Sequence, residues 1–72
     1  MEKSKLTLAF CLREIGNNID NYGCLYLRVG PVLLDYDAVE NEYHVHEKDN
    51  NTESFVDLVE AINHFISAVL YL

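Results

Sequence analysis

The chain predicts an α+β domain: a helix, a three-stranded antiparallel meander and a second helix, with the helices packed on one sheet face. Three observations carry this. Apolar residues recur at helical spacing near the N-terminus, alternate with period two through the middle, and return to helical spacing in the last third.

In the first stretch Leu8, Leu12, Ile15 and Ile19 form an apolar stripe with Cys11 beside it, while Lys5, Arg13 and Glu14 lie off it. A helix is expected from about Ser4 to Asn17 or Asn18, with Ser4 as N-cap and Gly16-Asn17-Asn18 closing it. After Gly23, Leu25, Leu27 and Val29 alternate with Cys24, Tyr26 and Arg28, as in a half-buried strand. Gly30-Pro31 punctuates the chain before a second strand, Val32–Tyr36, and a third follows at Glu42–Glu47. Between them Asp37–Asn41 reads as a short hairpin loop in which Asn41 takes a left-handed conformation at low cost. Lys48-Asp49-Asn50-Asn51 is a polar break. Beyond it a long helix is expected, with Phe55, Leu58, Val59, Ile62, Phe65, Ile66 and Val69 on its apolar face. Glu53, Asp57, Glu60, His64 and Ser67 would line its outer side, and Ser54 with Asp57 would form its capping box. Leu25, Leu27, Val29, Val32, Leu34, Tyr36, Tyr43 and Val45 would face the helices.

Seventy-two residues make one domain, because a chain this short buries only about 60% of the surface exposed when unfolded. Half the residues are apolar and eight are Tyr or Phe, so a core can form without a metal or disulfide staple. Cys11 and Cys24 stand apart from any Cys-x-x-Cys spacing, and reduced, buried thiols in a reducing cytoplasm are the reading, with a disulfide between them as the alternative. Lys3 and Lys5 ahead of Leu6–Leu12 resemble a short signal sequence, but no small-residue cleavage site follows and Arg13-Glu14 interrupts the run. The uncharged run Ala61–Leu72 is also too short to span a bilayer, so no membrane segment is expected.

The net charge of −7 is unevenly shared: residues 1–28 sum to +1, whereas from residue 29 onward nine carboxylates face Lys48 alone. Such a surface repels phosphates and anionic headgroups, which disfavours direct binding of nucleic acid or membrane and favours a basic partner. The carboxylates in question are Asp35, Asp37, Glu40, Glu42, Glu47, Asp49, Glu53, Asp57 and Glu60. They can serve solubility alone. They can equally present spaced negative charge to a basic groove, with Glu53, Asp57 and Glu60 about 5–6 Å apart along the second helix.

Other constellations are weaker. His44 and His46 project from one sheet face and can supply two metal ligands, but no spacing fixes a third or fourth, so ordinary exposed polar positions are the reading and no metal site is expected. His64 is expected across the sheet from them. The open face would carry Tyr26, Arg28, Leu33, Asp35, Glu42, His44 and His46, a mixture suited either to protein contact or simply to water. Ala61, Ile66, Ala68, Leu70, Tyr71 and Leu72 make the end of the second helix apolar nearly all round, so helix 1 or a second copy in a homodimer must cover it. Ser4, Ser54 and Ser67 sit in no nucleophile motif and there is no glycine-rich phosphate loop; no enzymatic activity and no cofactor are expected.

In size, acidity and element order, with the carboxylate-studded stretch Asp35–Glu60, the chain resembles the small acidic inhibitors that phages and mobile elements direct against nucleic-acid-handling enzymes, anti-CRISPR proteins among them. The resemblance extends over the whole chain in general character and transfers no residue role. It implies a non-enzymatic inhibitor whose acidic surface occupies a basic, nucleic-acid-binding site on a target protein. The alternative is a self-associating adaptor or regulatory subunit using the apolar end of helix 2 and the open sheet face.

Overall fold

The computed structural model describes residues 5–72. Two helices, α1 (Leu8–Tyr22) and α2 (Leu58–Leu70), bracket an antiparallel sheet of β1 (Tyr26–Val29), β2 (Val32–Asp37), β3 (Glu42–His46) and β4 (Thr52–Phe55), ordered β1-β2-β3-β4. The α+β class and the helix-sheet-helix order are those expected; the meander has four strands where three were expected.

α1 begins and ends later than its apolar spacing implies. Ser4 lies outside the described residues, and the cap is Thr7, whose Oγ1 accepts from the Phe10 backbone N–H at 3.1 Å. Gly16-Asn17-Asn18 does not close the helix. The Asn18 side chain donates instead to the Tyr26 carbonyl at 2.8 Å, tying α1 to β1. Closure falls to Gly23 at φ 70, whose N–H reaches the Ile19 carbonyl at 2.9 Å. The buried stripe is Cys11 and Ile15 with Leu8 and Phe10 at its margin, whereas Leu12 and Ile19 are 42% and 45% exposed.

Val29 pairs with Val32 across a two-residue turn. Gly30 has φ 59 and Pro31 is confined to negative φ, the combination of a type II′ hairpin turn. The β2–β3 loop is organised by Asp37, whose Oδ1 accepts from the backbone N–H groups of Val39 and Glu40 at 2.9 and 3.2 Å. Asn41 takes the left-handed conformation expected of it, with φ 59, and the Tyr36 hydroxyl donates to its side-chain oxygen.

The polar break is a second hairpin turn. Glu47 N–H bonds to the Asn51 carbonyl at 2.8 Å, Asn50 adopts φ 64, and Thr52–Phe55 pairs back along β3. Thr52–Phe55 therefore belongs to a strand, although helical spacing places Glu53 on the helix's outer side, Ser54 in its capping box and Phe55 on its apolar face. Asp57 is the true cap of α2: its Oδ2 accepts from Glu60 N–H at 3.0 Å.

Both helices lie on one sheet face. Cys11 and Ile15 meet Leu27, Val32, Leu34 and Val45 from the sheet and Ala61, Ile62, Phe65 and Val69 from α2, with Leu6 at the edge. The register accounts for the two faces: Leu27, Leu34 and Val45 lie opposite one another in a single buried row. Tyr36 and Tyr43 share that face, but Tyr36 is exposed where the helices end.

Candidate functional site

The uncovered face of the sheet carries Tyr26 and Arg28 from β1, Leu33, Asp35 and Asp37 from β2, Glu42, His44 and His46 from β3, and Thr52 and Ser54 from β4. Tyr26, Asp35, His44 and Ser54 form one cross-strand row; Arg28, Leu33, His46 and Thr52 form the next. Every member anticipated on this face is there. β4 adds two hydroxyl side chains that the three-strand reading lacked.

Acidic residues concentrate where this face meets the β2–β3 loop. Asp35 and Asp37 are two residues apart on one strand, so their side chains stand about 6.6 Å apart on the same side. Asp37 lies directly opposite Glu42, and Glu40 occupies the loop between them. Like charges in direct cross-strand opposition are destabilising. Among the described residues no lysine or arginine pairs with a carboxylate; the two close carboxylate contacts come from histidines, His46 with Asp35 at 3.3 Å and His64 with Glu47 at 3.1 Å, and are charge pairs only when the ring is protonated. Arg28, on the same face, donates its Nε–H to the Gly30 carbonyl at 3.2 Å, and the Arg13 guanidinium stacks 5.8 Å from the centre of the Phe10 ring.

The nine carboxylates do not line one wall. Asp57 and Glu60 open α2 at the same end of the sheet as the β2–β3 loop, but Asp57 already serves as the helix cap. Glu53 faces the other way: it pairs with the buried Val45, and so points from the helix-bearing face of the edge strand. It cannot extend a helical ridge with Asp57 and Glu60, because the chain there is a strand. Glu47 and Asp49 lie at the opposite end, beside a cleft of about 360 Å³ between the β3–β4 turn and the end of α2, lined also by His64, Tyr71 and Leu72.

The histidines separate as expected. The His64 ring packs 5.2 Å from the Phe55 ring and its Nε2 lies 3.1 Å from Glu47, on the helix-bearing side. His44 and His46 share the open face with ring centres 6.0 Å apart. What no spacing could supply is a third group, and the register provides it: Asp35 is the direct cross-strand partner of His44, and its Oδ1 lies 3.3 Å from His46 Nε2. Ligand atoms from Asp35, His44 and His46 all lie within 4.8 Å of one another.

The thiols differ. Cys11 is free and fully buried, and burial, reinforced by the nearby Glu14 carboxylate, pushes its pKa up. Cys24 is free but exposed, contrary to the expectation that both are buried. No helix of the described residues is long and apolar enough to cross a membrane. Compared with protein-family models, characterised proteins and solved structures, the chain matches none.

Proposed function

We propose that this is a non-enzymatic inhibitor that presents the carboxylates of the β2–β3 hairpin, Asp35, Asp37, Glu40 and Glu42, to a basic groove of a nucleic-acid-handling protein. The observation that supports it is the direct opposition of Asp37 and Glu42 on an open sheet face, unrelieved by any described lysine or arginine. A cationic partner relieves that repulsion and gains the electrostatic steering that an acidic surface provides. The spacing of same-side groups along a strand is on the scale of successive phosphates, so the hairpin presents negative charge in a pattern that a nucleic-acid-binding groove can accept. Glu60 extends the negative field at the same end, while Glu47, Asp49 and Glu53 face elsewhere and contribute at longer range. A reducing, cytoplasmic setting suits the two free thiols.

The test is capture of the partner from host extract, followed by competition between this protein and a labelled DNA duplex for that partner. Raising the salt from about 50 to 200 mM weakens the complex about ten-fold or more, and D37N/E42Q weakens it at fixed salt. Affinity indifferent to both changes rejects the reading.

A specific observation supports a second reading, self-association. Helix 1 and the sheet bury Ala61 and largely cover Ile66 and Ala68, but Leu70, Tyr71 and Leu72 remain 45%, 88% and 46% exposed. Sedimentation at micromolar concentration separates the two, since a strict monomer removes the adaptor.

A further inference from the structure

We propose that Asp35, His44 and His46 form a binding site for a late first-row divalent cation, with Zn²⁺ as its representative. The site shares Asp35 with the docking reading but is tested separately from it, since metal binding is measured with no partner present.

The site follows from strand geometry. His44 and His46 project from the same face because strand residues two apart do so, and antiparallel pairing sets Asp35 directly against His44. All three therefore ride on the two central strands, whose hydrogen-bonded backbones hold the Cα positions, and all three side chains are half-buried. Two ligands bound to one zinc at about 2.1 Å and the tetrahedral angle lie roughly 3.4 Å apart. The His46 Nε2 to Asp35 Oδ1 separation of 3.3 Å already meets that spacing, and the group spans no more than 4.8 Å, so rotation of the His44 ring closes the set.

Its surroundings favour a cation. His46 Nδ1 is 3.1 Å from Thr52 Oγ1 on β4, and an outer hydroxyl of this kind fixes ring orientation and tautomer. With the Nδ1 proton donated to Thr52, the Nε2 lone pair and the Asp35 carboxylate face each other, and a cation between them satisfies both. Arg28, which shares this face, is turned to the Gly30 carbonyl rather than to Asp35. Two imidazoles and one carboxylate select zinc and its transition-metal neighbours over calcium or magnesium, which prefer all-oxygen sites. Three protein ligands leave a position facing solvent for water or for a side chain of a partner.

The experiment is calorimetric titration of Zn²⁺ into untagged protein in chelator-free buffer, with Co²⁺ absorption reporting coordination and amide NMR reporting location. The expected result is one Zn²⁺ per chain, visible Co²⁺ bands of a histidine-ligated ion, and shifts centred on residues 33–35, 44–46 and 52. D35N and H46A each weaken binding about ten-fold or more, whereas H64A and C24S leave it unchanged. Absence of saturable Zn²⁺ binding to the wild-type chain overturns the proposal, as do amide shifts centred on His64 and Glu47 or full affinity in H44A/H46A. The NMR map needs no variant, so it decides the matter even where a substitution disturbs folding.

Discussion

Asp37 and Cys11 show how one side chain acquires its role from its neighbours. Asp37 carries charge on the open face while its Oδ1 gathers two loop N–H groups, so its replacement disturbs the hairpin as well as the field. The isosteric D37N retains an acceptor oxygen there, which is why it is the suitable probe of charge. Cys11 sits among apolar side chains at 0% exposure, with its pKa raised by burial and then by Glu14. Its thiol stays protonated and inaccessible while Cys24 stands in solvent. A thiol-specific reagent at neutral pH is therefore expected to modify Cys24 quickly and Cys11 on the time scale of unfolding, as read by mass spectrometry. Equal rates contradict the buried assignment. The pH dependence has a definite sign. Because the folded pKa lies above the unfolded one, Cys11's contribution is fully present below the ordinary thiol pKa and is lost as pH rises toward the raised folded value, where the unfolded chain already favours thiolate.

At the scale of elements, β4 and the start of α2 show competition between two periodicities. Phe55 stands three and four residues before Leu58 and Val59, which reads as a helical face, and the polar Thr52-Glu53-Ser54 offers no apolar alternation to oppose it. Two tertiary facts decide otherwise. Pairing with β3 satisfies backbone groups that would otherwise form an open edge, and Phe55 gains the helix-bearing face opposite Tyr43. A clue was present in Asp57-Leu58-Val59-Glu60, where an aspartate cap with glutamate three residues on is a better start signal than Ser54 with Asp57. The cap assignments make a sharp prediction: D57A lowers stability by about 1 kcal/mol in urea melts, while S54A, on the exposed face of an edge strand, stays within about 0.5 kcal/mol. The opposite ranking places the helix start at Ser54. In α1 the same lesson appears at Asn18, whose bond to Tyr26 offsets the poor helix propensity of a Gly-Asn-Asn run.

For the molecule as a whole, a two-layer arrangement leaves one sheet face to solvent and concentrates stability in a thin core. Phe65 is the largest fully buried side chain, in a core cluster to which both helices and the sheet contribute. F65A is expected to cost about 3–5 kcal/mol. A 72-residue domain has only about 4–11 kcal/mol in total, so the variant is largely unfolded or close to it by circular dichroism. A cooperative melt near that of the wild type would place the core elsewhere.

The α+β class, the apolar rows of β1–β3, the Asp37–Asn41 loop and most of the apolar face of α2 were legible in the chain because short-range periodicity and turn chemistry are local properties, written within a few residues; on α2, Val59, expected on that face, is 42% exposed, and Ala61, expected off it, is buried. The fourth strand, the extent of α1, the dispersal of the carboxylates and the meeting of Asp35 with His44 and His46 belong to the tertiary structure. They depend on strand register, which brings together residues nine and eleven positions apart and assigns each to a face, and register is decided by burying the whole core at once rather than by any segment alone.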